Sequence, residues 1–179
     1  EVARTLIKLG HERLGMISGQ FVASDRARAR RDGFMDGAAE HCLAAPTVFE
    51  VDFVLPHLEE TLAPIYTERE TAPSALFCSN DLLAISVIGA LGRLGLEVPN
   101  DVSVIGFDGI AVGTHLHPTL ATVIQPSHEM GRAATRQLLD RLAGKDCPMT
   151  EILPHTLRLG ESAGPAAKSA PMATGPRSS

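Results

Sequence analysis

Basic charge is the first thing this sequence is short of. Its 179 residues hold 16 Lys and Arg against 21 Asp and Glu, a net charge of −5. A module that grips nucleic acid directly should be basic, so this piece is not expected to bind DNA or RNA by itself. No apolar run approaches the ~18 residues of a membrane span. No charged, apolar and small-residue succession of a signal peptide opens the chain. Residue 1 is Glu, and the opening helix has no N-cap, as expected of a chain that continues upstream. Cysteine is scarce: Cys42, Cys78 and Cys147 are odd in number and far apart. That predicts thiols in a reducing, cytoplasmic compartment, not a disulfide frame or a zinc site. There is neither a GxGxxG nor a P-loop. His115 and His117 form too slight a metal pattern and are read as loop surface. Cys78 reads as core, and no nucleophile–base pairing is evident for Asp81 and Asp108, so neither an enzyme nor a cofactor is expected.

What is present is enough for one domain, or one and a fraction. Apolar residues make up 44% of the chain, ordinary for a globular fold. Residues 2–9 look like the last part of a helix closed by Gly10. LGMIS at 14–18 is a buried strand. Ser24 can cap a helix running to about Cys42, with Ala27, Phe34, Ala38 and Cys42 at helical spacing. Thr47 to Val51 is strand-like. A helix begins near Pro56, carries Leu58, Leu62 and Ile65 on one face, and should be kinked or shortened by Pro64. ALFC at 75–78 is a strand, and Ser79-Asn80-Asp81 caps a helix ending at Gly95. VSVIGF at 102–107 and LATVI at 120–124 are strands, a helix follows from Pro126 to Leu142, and Glu151 to Leu159 closes as a strand. Alternating strands and helices predict the α/β class: a doubly wound, parallel sheet with helices on both faces. From Ser162 onward, 14 of 18 residues are Ala, Gly, Pro or Ser. This stretch is expected to be a disordered extension.

In such a sheet, ligands bind outside the carboxyl ends of the strands. Those ends hold Gly19 to Arg31, Asp52 with Phe53, Asn80 with Asp81, and Asp108 with Gly109. Arg26, Arg28, Arg30 and Arg31 crowd the first half of a helix, where the macrodipole disfavours cations by up to ~1 kcal/mol each. Each can be a solvated, salt-bridged surface residue, or one can fork onto ligand oxygens. Position alone does not choose among them. One of Asn80 and Asp81 is expected to cap the helix and the other to face the cleft. Asp108 is a natural acceptor for ligand hydroxyls. Phe53 is either core or a flat wall for a ring.

The segments LGHERLGMISG, RRDGF, LFCSNDLLAISVIGALGRLGLEVPNDVSVIGFDGI and HPTLATVIQPSHEMGRAATRQLLDRLAG resemble the lactose/galactose repressor family of bacterial transcription regulators, over about residues 2–162. The resemblance implies an effector domain like a periplasmic sugar-binding protein, with two α/β subdomains behind a helix-turn-helix headpiece. It implies that Arg30, three residues before Gly33-Phe34, holds the effector, together with Phe53, Asn80, Asp81, Asp108 and Gln125. It divides the chain into a C-terminal subdomain (1–124 and 151–160), a crossover and helix of the other subdomain (125–150), and a tail (161–179). The headpiece and most of the N-terminal subdomain are then outside this sequence. The helix face of Met130, Ala134, Leu138 and Leu142 would lack its usual cover. The family often has a second Asp or Asn where Gly109 stands, and a double threonine where Ala121-Thr122 stands.

The expected function is therefore effector binding, of a sugar or related polar ring compound. Subdomain closure in a homodimer would then alter operator affinity through the headpiece. A periplasmic sugar-binding protein of a transporter is the alternative, since the fold is shared.

Overall fold

The computed structural model describes residues 1–52 and 58–167. Its described elements in chain order are α1 (Val2–Lys8), β1 (Leu14–Ser18), α2 (Asp25–Ala39), β2 (Thr47–Glu50), α3 (Leu58–Tyr66), β3 (Ala75–Cys78), α4 (Asp81–Arg93), β4 (Ser103–Asp108), β5 (Ala121–Ile124), α5 (Ser127–Leu142) and β6 (Thr156–Arg158), with short 3-10 turns at Phe21–Ala23 and Ala111–Thr114. Among the described residues the strands form one sheet in the order β2-β1-β3-β4-β5-β6. The first five run parallel, and β6 is antiparallel to β5.

Burial explains why these runs are strands. β1 and β3 are buried at every position, as befits central strands covered on both faces. Successive side chains go to opposite sides. Ile17, Leu76 and Val104 enter one core with Leu62, Val87 and Leu91 of α3 and α4. Met16, Phe77 and Ile105 enter the other with Leu6 of α1 and Phe34 of α2. The doubly wound α/β sheet expected from the alternation is thus the one observed. Its order reverses at β1, which has β2 on one side and β3 on the other. That switch point opens a crevice at the strands' carboxyl ends.

Helix starts follow the sequence signals. The Ser24 hydroxyl accepts from Ala27 N at 3.2 Å and caps α2. Pro64 lies inside α3, which ends two residues later. The expected start of that helix at Pro56 falls outside the described residues.

Two expectations need correction. The last strand does not span Glu151 to Leu159; it is only Thr156–Arg158. Pro154 has no N–H for a ladder, and pairing begins beyond it. Nor does order end at residue 160. Ser162 is fully buried. Its hydroxyl donates to Val104 O at 2.7 Å and accepts from Ala121 N at 2.9 Å. Val104 N donates to Ser162 O at 2.7 Å, and Ala166 N to Leu9 O at 2.8 Å. A segment without an apolar face is held here by hydrogen bonds, which composition does not register.

Candidate functional site

The carboxyl ends of β1, β3, β4 and β5 carry a polar cluster built around Arg30. The side chain leaves the second turn of α2 and crosses the switch point. Its Nη1 donates to Ser79 O at 2.6 Å, and its Nη2 lies 3.6 Å from Asp108 Oδ1. Its Cζ sits 3.9 Å from the centroid of the Phe107 ring, a cation–π contact. Burial lowers the guanidinium's pKa from its ordinary value, Asp108 opposes that, and Arg26 adds to it. The group stays cationic at any physiological pH.

Asp108 ends β4 with φ +119°, a left-handed conformation unusual for a non-glycine residue. Gln125, one residue past β5, donates from Nε2 to Asp108 Oδ1 at 2.6 Å. A cation and an amide therefore converge on one half-exposed carboxylate. Side chains that already exchange hydrogen bonds of this kind can exchange them with a hydroxylated guest instead.

Asn80 caps α4: its Oδ1 accepts from Leu83 N at 2.8 Å. Its Nδ2 makes no hydrogen bond among the described residues, so the amide nitrogen is left to donate. Asp81 corrects the expectation. It is fully buried, and both carboxylate oxygens are engaged. Oδ1 accepts from Thr122 Oγ1 at 2.5 Å and Oδ2 from Ile110 N at 2.8 Å. It has no surface to offer a ligand; a carboxylate this deep must be satisfied from inside. Burial raises its pKa, while the Thr122 hydroxyl and the nearby Ile110 and Gly109 amides hold it down. Phe53 lies outside the described residues.

The other arginines of α2 have different neighbours. Arg28 pairs with Asp25 and Arg31 with Asp32, both at the surface. On the β2 side of the rim, Gln20 Nε2 donates to Asp52 Oδ1 at 2.7 Å. Beside Arg30 lies a cavity of about 570 Å³, with Phe34, Phe77, Phe107, Gln125 and Met130 in its walls. Phe77 packs on Phe34 and edge-on to Phe107, with centroids 5.1 and 6.5 Å apart. The sequence reading gave Phe107 and Thr122 no role in the site. Alternation along β4 could have found the first, since Phe107 shares a face with Ile105.

No group of three or more His, Cys, Asp or Glu suited to a metal occurs among the described residues. No described helix is long and apolar enough to cross a membrane.

Comparison with known proteins gives the arrangement its relatives. Residues 3–163 match the periplasmic binding protein-like domain family. The chain is similar to the HTH-type transcriptional repressor PurR of Aliivibrio salmonicida, at 34% identity over 144 residues, which is 78% of this chain and 42% of that protein. Its fold is similar to a LacI-family transcriptional regulator from Burkhoderia phymatum, at 35% identity and a TM-score of 0.74, over 90% of this chain and 59% of that one. It is also similar to a sugar-binding LacI-family regulator from Escherichia coli complexed with phosphate, at 31% identity and a TM-score of 0.78, over 92% and 59% of the two chains. The chain spans about two fifths of the curated relative's length. These relatives are transcriptional regulators. The chain belongs to the periplasmic binding protein-like domain family, within its lactose/galactose repressor branch.

Proposed function

We propose that this chain is the effector-binding part of a bacterial transcriptional repressor. The observation that carries the reading is the convergence of Arg30, Asp108 and Gln125 at the carboxyl end of the sheet, from α2, β4 and the exit of β5. Arg30 and Asp108 bracket vicinal hydroxyls of a sugar or related polar ring, and Asn80 adds its amide nitrogen. A sugar agrees with the Escherichia coli relative, a sugar-binding regulator. Residues 1–124 and 151–160 form one wall of the cleft, and α5 belongs to the opposite subdomain. Closure of the two on the effector shifts the headpieces of a homodimer, and with them operator affinity. The coupling is as large as the effector's preference for one of the two states. A transporter component is not favoured, because the relatives are repressors.

The test is calorimetric titration of the full-length regulator with a panel of monosaccharides and nucleobases. Each charged hydrogen bond is worth about 1.5–3 kcal/mol. Arg30→Ala and Asp108→Ala should therefore each weaken the binding compound roughly 10- to 150-fold. Wild-type affinity in both variants would refute the site.

A further inference from the structure

Asp108 can serve as an acceptor only if its carboxylate is held toward Arg30 and Gln125. Three features show that its own backbone does not do this unaided. Its φ of +119° is unfavourable for any residue with a side chain. The next residue is Gly109, at φ +78°, where a Cβ would sit 2.8 Å from Ile124 Cα. The turn continues to Ile110, whose N–H donates to Asp81. A sharp turn of this kind relaxes unless its amides are anchored.

The anchor is buried directly beneath it. Thr122 Oγ1 accepts from Gly109 N at 3.3 Å and donates to Asp81 Oδ1 at 2.5 Å. Asp81 Oδ2 takes Ile110 N. Two consecutive amides of the turn are thus received by one hydroxyl and one carboxylate, which are bonded to each other. Gly106 leaves the room the carboxylate needs: a Cβ there would collide with Asp81 Oδ1. Thr122 also lies in β5, three residues before Gln125, which directly follows the strand. The anchor therefore sets the acceptor, through the turn, and stands on the strand that delivers the acceptor's amide partner.

We infer that Asp81 and Thr122 are positioning residues, which never touch the effector but fix the 108–110 turn so that Asp108 meets Arg30 and Gln125. The role given to Asp108 rests on the effector-binding reading above; the placement of Asp108 by the two buried side chains does not. The neighbouring Ala121 is fully buried in the opposite core, so of these two residues only Thr122 reaches Asp81.

The test is nuclear magnetic resonance on the 15N-labelled 179-residue chain. The Gln125 side-chain amide, identified by its disappearance in Gln125→Ala, should move when Asp108→Ala removes its acceptor. Thr122→Val removes the hydroxyl at constant shape and should move that amide toward its Asp108→Ala position in a folded chain. Asp81→Asn should do the same, and Thr122→Ser should restore the wild-type position. If folded Thr122→Val keeps the wild-type position, the inference is overturned. Should Asp81→Asn fail to fold, the two Thr122 variants decide alone. With any compound the calorimetric panel identifies, Thr122→Val should bind at least several-fold more weakly and Thr122→Ser as wild type. If the panel identifies none, the effector-binding reading fails while the position of the Gln125 amide still decides the anchor.

Discussion

The imidazole of His11 is 2% exposed and ties three segments together. Its Nδ1 meets Ser74 Oγ at 2.9 Å, and its Nε2 meets Ser103 Oγ and Gly164 O, both at 3.1 Å. Burial lowers its pKa below the ordinary 6.5; the Gly164 carbonyl opposes this and the Arg13 charge adds to it. Below pH 6.5 the unfolded chain therefore binds the proton more readily than the folded one. Stability supplied by neutral His11 is complete above that pH and is lost as pH falls from 6.5 toward the lower folded value. Urea unfolding at pH 7.5 and 5.0 should show a smaller acid loss in His11→Gln than in wild type. Equal losses would mean that His11 does not carry the effect. Ser162 is the other residue-scale support of the C-terminal segment. Ser162→Ala strands Ala121 N in a buried site and should cost about 1–3 kcal/mol in the same measurement.

At the scale of elements, α5 stands apart. Among its described residues Ala133 is buried, whereas Met130, Leu138, Leu139 and Leu142 are 46–76% exposed. Most helical stability comes from packing an apolar face, so amide exchange should be faster along α5 than along β4 in the same molecule. Equal protection in a monomer would contradict this. The strands and remaining helices were legible because their apolar spacing matches what they bury: LGMIS and ALFC read as buried strands, and Ser24 and Asn80 cap where their side chains indicate. The end of the fold was less legible. Pro154 shortens the last strand, and residues 161–166 are held by hydrogen bonds that no periodicity reveals. The four arginines of α2 show the same limit. Their order along the helix is plain, but which guanidinium spans to Ser79 depends on how α2 lies across β1 and β3.

For the whole molecule, alternating apolar runs and helical faces determined a doubly wound sheet, because a strand buried on both sides and a helix buried on one leave distinct spacings in the chain. The same alternation placed the candidate residues at the strands' carboxyl ends. The tertiary structure alone decided which of them meet. Asp81 and Asn80 are neighbours in sequence, yet one is sealed against Thr122 and Ile110 while the other caps a helix at the rim. Asp108 and Gln125 are 17 residues apart and share a hydrogen bond. Burial and contact between distant residues arise from how the strands are ordered in space, and strand order is a property of the assembled sheet that no local stretch of chain contains.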